Sequence, residues 1–305
     1  MKPSPRHEYE RRVNRVMDYV QAHLDEELTL ETLADVAAFS PFHFHRVFSA
    51  ITGETLSDFI RRIRVERAAI SLSMLRETSV LEIALRCGFS SAATFARTFK
   101  SHFGMSATAW RDGGARQWRD ALRQPRKPGK AIRKPRKASP PPNRQAQAMP
   151  VTIEDLPAYR VAYVRHVGPY GGGGISALWL EFERWIRAHG LRRPGTLTIG
   201  IGHDAPSISA ADKLRYDCCL VVDTAFKADR AVNMAELPGG KYAILPFKGQ
   251  PADLSAAWER FWMGWLPGSG YQPEDRPCLE LRPDFETSAT EGHVRCQLCL
   301  PVAPL

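Results

Sequence analysis

Two sets of side chains in this sequence have the types and spacing to do chemistry. The first is Phe42, His43, His45 and Arg46, which remain once Phe44, Val47 and Phe48 are assigned to one buried helix face. An arginine so placed can make a bidentate contact to guanine, and a phenyl ring can pack on a thymine methyl. About fifty residues on, Ala92, Ala93, Ala96 and Arg97 would face outward on a second such helix. There Phe95, Thr98 and Phe99 point inward, and Ser91 and Lys100 fall near phosphates. The second set centres on Glu280, in the apolar run Pro277-Cys278-Leu279-Glu280-Leu281. Its candidate companions are Tyr170, Trp179, Tyr216, Trp258 and Trp262. A carboxylate among aromatic rings suits a hydrophobic cation, by cation–π attraction and charge.

Each assignment has a plainer alternative. Phe42 fits a core position, and Arg97 fits an internal salt bridge. Aromatics at helical spacing fit core packing, and Glu280 fits the exposed face of an edge strand. Other groupings carry less. His43 and His45, two apart on a helix, point away from each other and do not share a metal. Cys296 and Cys299 have zinc-like spacing, but three residues along a strand they face opposite sides. Cys218-Cys219 does not supply a second pair. No Ser-His-Asp order and no paired carboxylates stand out, so neither an enzyme nor a cofactor is expected.

The first set needs helices to present it. Residues 9–111 read as helical throughout. Val13, Val16, Met17, Val20 and Leu24 form one apolar stripe. A pattern then occurs twice: Leu33-Ala34, Phe39-Ser40, Phe44, Arg46, Phe48 and Gly53, then Ile83-Ala84, Phe89-Ser90-Ser91, Phe95, Arg97, Phe99 and Gly104. In each copy a short helix (Leu30 to Ala37, Val80 to Cys87) ends at a small residue, Ala38 or Gly88. A phenylalanine plugs the bend, and Ser40 or Ser91 caps the next helix. Pro41 sits where a missing N–H costs nothing. Gly53 and Gly104 suit left-handed C-caps. This is the helix-turn-helix, used twice. A helix from about Leu56 to Leu75 joins the copies. Twenty residues span roughly 30 Å, close to the ~34 Å turn of B-DNA, so one chain can place two recognition helices in successive major grooves.

The second set also sits in a duplicated region. Val151 to Pro157 aligns with Val232 to Pro238, Arg160-Val-Ala162 with Lys241-Tyr-Ala243, and Gly168 with Gly249. Each copy continues into an aromatic-rich helix, Leu178 to His189 or Asp253 to Trp265. Strands are expected over Thr196 to Gly202, Tyr216 to Val222, Cys278 to Arg282 and Val294 to Leu300. The fold class is thus multidomain: an all-α double helix-turn-helix domain (1–112), then an α+β domain of two pseudo-symmetric strand-helix-strand modules (150–305). A cleft between symmetric modules is a usual place for a ligand.

Between them, residues 113–149 read as a basic, proline-rich linker, with Gln117 to Leu122 able to prolong the preceding helix. The formal net charge of the chain is +9. Residues 113–145 hold 11 Lys/Arg against one Asp, so nearly all the excess lies there. A short basic tether between near-neutral blocks points to a polyanion partner. Hydrophobic residues make up 44% and charged ones 25%, a globular balance with no long apolar run. A polar, charged start to the chain argues against a secretory signal, so a cytoplasmic location is expected.

Ile83-Ala84, Gly88-Phe89-Ser90, Phe95, Arg97, Phe99-Lys100, Phe103-Gly104 and Trp110-Arg111 resemble the signature of the AraC/XylS family of transcription regulators. By that resemblance Phe42, His45 and Arg46 occupy base-contacting positions. Leu156-Pro157-Ala158, Arg165 to Tyr170, Arg215-Tyr216-Asp217, Leu237 to Tyr242, Trp265 to Tyr271 and Leu279-Glu280-Leu281 resemble the GyrI-like effector-binding domain. Glu280 matches that family's pocket glutamate. The combined resemblance implies a regulator whose partners are double-stranded DNA, a small amphipathic or cationic effector and RNA polymerase, with no membrane. Two other classes stay open for the C-terminal domain: a small-molecule hydrolase, since some GyrI-like domains are of that kind, and a protein-interaction scaffold.

Overall fold

The computed structural model describes residues 5–123, 149–171, 173–283 and 293–305. These fall into two compact units, a mainly helical one over residues 12–123 and 207–209 and a sheet unit over 5–11, 149–206 and 210–305. Most of the basic tether, including Arg126 to Lys137, lies outside the described residues.

The helical unit follows the caps. Helix α1 (Pro5–Ala22) is followed by α2 (Leu30–Ala37) and α3 (Pro41–Thr52). Helices α4 (Leu56–Met74), α5 (Val80–Arg86) and α6 (Ala92–Phe103) come next. The short α7 (Ala107–Ala109) passes through a wide turn at Trp110–Gly114 into α8 (Ala115–Arg123). The apolar stripes close two cores. Val13, Val16, Val20, Phe44, Phe48 and Phe59 fill the first; Ile83, Phe95, Phe99, Phe103 and Trp110 fill the second. Ser91 caps α6 by accepting from the Thr94 N–H at 3.2 Å. Ser40 differs from expectation. It holds the cap backbone geometry of α3 but makes no side-chain cap bond, and Pro41 alone removes one free donor.

The two bends use one geometry. Phe39 N–H donates to the Ala34 carbonyl at 3.0 Å, and Phe89 N–H to the Ala84 carbonyl at 3.0 Å. Ala38 and Gly88 are both left-handed, at φ 53° and 80°. A methyl group is tolerated at Ala38 at a cost of about 1 kcal/mol. At Gly88 a Cβ would lie 1.9 Å from the Leu24 carbonyl oxygen, so only glycine fits. Arg64 ties the same spot from the other side, donating to the carbonyls of Leu24 at 2.9 Å and Glu26 at 2.8 Å.

In the sheet unit all strand pairs are antiparallel. The strands are β1 (Thr152–Leu156), β2 (Tyr159–Val167), β3 (Thr198–Gly202), β4 (Arg215–Val221) and β5 (Asn233–Leu237). Then come β6 (Gly240–Gly249), β7 (Tyr271–Pro273), β8 (Leu279–Arg282) and β9 (Val294–Pro304). Helix α9 (Gly174–Ala188) follows β2, and α10 (Leu254–Arg260) follows β6. The order is β1-β6-β9-β8-β3-β4-β2-β5, with β7 beside β9. The duplication is therefore visible, with one addition to the expected strand-helix-strand unit. The leading strand of each module is exchanged: β1 pairs with β6 of the second module, and β5 with β2 of the first. The modules join at β3 and β8, where Gly200 lies directly opposite Glu280. Trp179, Phe182 and Ile186 of α9 pack with Ala162, Val164, Tyr216 and Leu220 on one sheet face. Ile199, Ile201, Leu279, Leu281 and Tyr242 line the other.

Candidate functional site

The candidate recognition surface forms because each second helix buries every third or fourth residue and leaves the rest outside. In α3, Phe44 and Phe48 are fully buried, whereas Phe42, His43, His45 and Arg46 are exposed. Phe42 is 63% exposed, which rules out a core role for its ring. The Arg46 guanidinium stands 4.9 Å from the centre of the Phe42 ring, so two predicted contact residues support one another. In α6, Phe95 and Phe99 are buried, and Ser91, Ala92, Ala93, Ala96, Arg97 and Lys100 are exposed. Arg97 makes no ion pair among the described residues. Thr98 is half-buried.

The second site is built around Glu280. It lies on β8, between β3 and β9, so it is an interior-strand residue rather than an edge one. Glu280 is 4% exposed. Its Oε2 accepts from the Tyr216 hydroxyl at 2.6 Å and from Arg282 Nη2 at 2.7 Å. Its Oε1 accepts from Trp258 Nε1 at 3.2 Å. Arg282 also donates to the Tyr216 oxygen at 3.2 Å and stands over the Trp179 ring, 5.0 Å from its centre. Burial strongly raises the Tyr216 pKa, keeping the phenol protonated and a donor. Burial works against the Arg282 charge, but Tyr216 and Glu280 outweigh it and hold the guanidinium protonated.

Both modules contribute to this cluster. Trp179 and Phe182 of α9 correspond in spacing to Trp258 of α10 and Phe261 just beyond it. One tryptophan from each copy meets the Glu280–Arg282 pair. The opposing strand contributes room. A Cβ on Gly200 would lie 1.9 Å from the Tyr216 oxygen and 2.8 Å from Glu280 Oε2. Tyr170 joins at the side, its ring edge-on to Tyr216 at 5.9 Å and its hydroxyl donating to the Arg215 carbonyl at 2.6 Å. Trp262 is not brought in. It is half-buried one turn beyond Trp258 and makes no ring contact among the described residues.

Reading the sequence missed Arg282. The signal was present, because residues two apart on a strand share a face. The carboxylate expected to be uncompensated therefore carries its own counter-charge. Also missed was a buried polar set on the opposite sheet face. Arg165 Nε and Nη2 grip Asp217 at 2.6 and 2.7 Å, and His203 approaches the same carboxylate at 2.7 Å. Beside it Arg215 holds Asp204 bidentately, at 2.9 and 2.8 Å. Against the cost of burial, Arg165 and then His203 hold the Asp217 pKa well below the usual carboxylate range. Among the described residues no helix is long and apolar enough to cross a membrane.

Comparison with known proteins gives two domain matches. The family described as GyrI-like small molecule binding domain matches residues 149–303, and that described as helix-turn-helix domain matches residues 33–113. The SPbeta prophage protein YosT of Bacillus subtilis (strain 168), named as a transcriptional regulator, is 36% identical over 154 residues. That alignment covers 50% of this chain and 99% of YosT. PqrA of Proteus vulgaris, named as a transcription factor, is 36% identical over 104 residues, covering 33% of this chain and 84% of PqrA. The C-terminal domain of AraT, a response regulator from Geobacillus stearothermophilus, is 30% identical with a TM-score of 0.32, covering 37% of this chain and 88% of that one. With its two helix-turn-helix units and duplicated sheet unit, the chain belongs to the GyrI-like family and is a transcriptional regulator with an AraC-type helix-turn-helix DNA-binding domain.

Proposed function

We propose that this regulator reads double-stranded DNA sequence-specifically through α3 and α6, and senses a small amphipathic aromatic molecule at the Glu280 cluster. RNA polymerase is the partner through which such reading would act, in the cytoplasm. One observation carries the sensing half: a tryptophan from each module converges on a buried ion pair at the seam between modules. Aromatic faces supply breadth, and a few convergent polar groups supply orientation.

The cation expected from Glu280 alone loses its main support, because Arg282 already neutralises that carboxylate. The hydrolase reading weakens for a related reason. A general base needs a carboxylate oxygen turned toward water or substrate. Both Glu280 oxygens accept hydrogen bonds from Tyr216, Arg282 and Trp258. The test pairs thermal-shift screening of the full chain with operator binding by fluorescence anisotropy. A molecule that raises the melting midpoint and also changes operator affinity is the expected result. DNA binding that no midpoint-raising molecule alters would instead favour a scaffold.

A further inference from the structure

Arg282 makes the contacts that a bound cation would make. Its guanidinium meets a carboxylate at 2.7 Å, a phenol oxygen at 3.2 Å and an indole face at 5.0 Å. Those are the elements of an aromatic cage for a positive charge. The cage is thus filled from within the chain, by a group that does not give up its proton. Glu280 and Arg282 are 4% and 7% exposed, so the buried pair carries no net charge. A second cation beside it would leave an uncompensated positive charge in a low-dielectric site, next to a like charge.

Arg282 has one further feature. Its Nε–H is buried and has no hydrogen-bond partner among the described residues. A buried donor without an acceptor is costly, and a ligand oxygen would relieve that cost. Half-buried Trp258 lies on the other side of Glu280 and gives an aromatic ring a partially open flank.

We infer that the ligand of this cluster is an uncharged aromatic molecule bearing a carbonyl-type acceptor, and that Arg282 turns the site away from cations. The inference rests on the reading of this cluster as the sensing site. Arg282 sets specificity twice, by cancelling the Glu280 charge and by offering Nε–H to the acceptor.

The test uses the full chain and two probes of one shape, 2-naphthamide and 2-naphthylmethylammonium, measured by isothermal titration. The wild type should bind the amide about tenfold or more tighter than the ammonium, the size of a hydrogen bond to a charged group. Arg282→Met should invert that order by exposing the Glu280 charge to the ligand. The double variant Arg282→Met/Glu280→Gln removes both charges and guards against misfolding of the single variant. It should keep its melting midpoint within a few degrees, lose the preference for ammonium, and bind the amide about tenfold more weakly than the wild type. A wild type that prefers the ammonium, or a double variant with unchanged amide affinity, would overturn the inference while leaving the cluster a ligand site. Absence of binding by either probe to wild type and both variants would remove the cluster as the sensing site, and the inference with it.

Discussion

In the helical unit the two copies of the motif carry parallel side chains. Phe44 and Phe48 are buried in α3 as Phe95 and Phe99 are in α6, and each helix leaves an arginine, Arg46 or Arg97, exposed. In the sheet unit the copies diverge where they meet. Glu280 and Arg282 of β8 bring two charges, and the opposite position on β3 is Gly200. Buried charge pairs occur in both units: Arg165, Arg215 and Arg282 are each buried against a carboxylate in the sheet unit, and Arg62 is nearly buried against Glu54 and Glu66 in the helical one. On the proposed function, the contrast follows from what each unit would contact. A long duplex offers similar chemistry at two grooves, so both copies can present an arginine. A closed site has one volume, and a side chain from one copy needs space ceded by the other.

Removing a buried charge partner should separate the units most sharply. Asp217→Ala leaves the Arg165 guanidinium buried without its carboxylate and should cost about 3–5 kcal/mol of sheet-unit stability. Calorimetry of the full chain should show one transition lowered. The pH dependence has a definite sign. The Asp217 pKa is depressed in the folded state, so its stabilisation is present above the ordinary carboxylate pKa of about 4 and is lost as pH falls through the lower folded value. Asp217→Asn should flatten the acid limb of the stability curve. An unaltered acid limb would show that the pair contributes no linkage.

Filling the ceded space comes next. Gly200→Ala forces a methyl group against the Tyr216 oxygen and should cost about 1–3 kcal/mol by overpacking. It should also weaken any ligand of the Glu280 cluster. A thermal midpoint equal to wild type would mean that β3 gives way without disturbing Tyr216.

Within the helical unit, Arg46→Ala should reduce discrimination between operator and non-specific DNA by about 1–3 kcal/mol. Arg97→Ala should cost less, because its exposed neighbours Ala92, Ala93 and Ala96 offer only apolar contacts. Anisotropy titrations on matched and scrambled duplexes compare the two. Equal losses would make α3 and α6 equivalent readers. The smallest expected effect is that of Lys100→Ala, a phosphate neighbour by position. It should lower the log–log salt slope of DNA binding by about 0.9 and leave discrimination intact. A changed operator preference would move Lys100 from the backbone to the bases.

Much of this molecule was determined by local sequence. Helical periodicity and the caps around Ala38 and Gly88 sufficed for both helix-turn-helix units, because those signals act within a few residues. Exposure of Phe42, His45, Arg46, Arg97 and Lys100 followed from the same 3.6-residue period. Repetition in the sheet unit was legible as well, and so was Glu280 as its central carboxylate. The exchange of β1 and β5 was not, because alternation along a strand shows which face is buried but not which strand lies alongside. Nor was the pairing of β8 with β3 and β9, which puts β8 in the interior of the sheet and Glu280 out of water. Arg165 and Asp217 are separated by 52 residues, and Tyr216 and Glu280 by 64. Whether such groups meet depends on strand register over that distance, whereas Glu280 and Arg282 share a face of one strand: the sequence supplied both charges of that pair, and the tertiary structure decided that they would be buried against Tyr216 and Trp258.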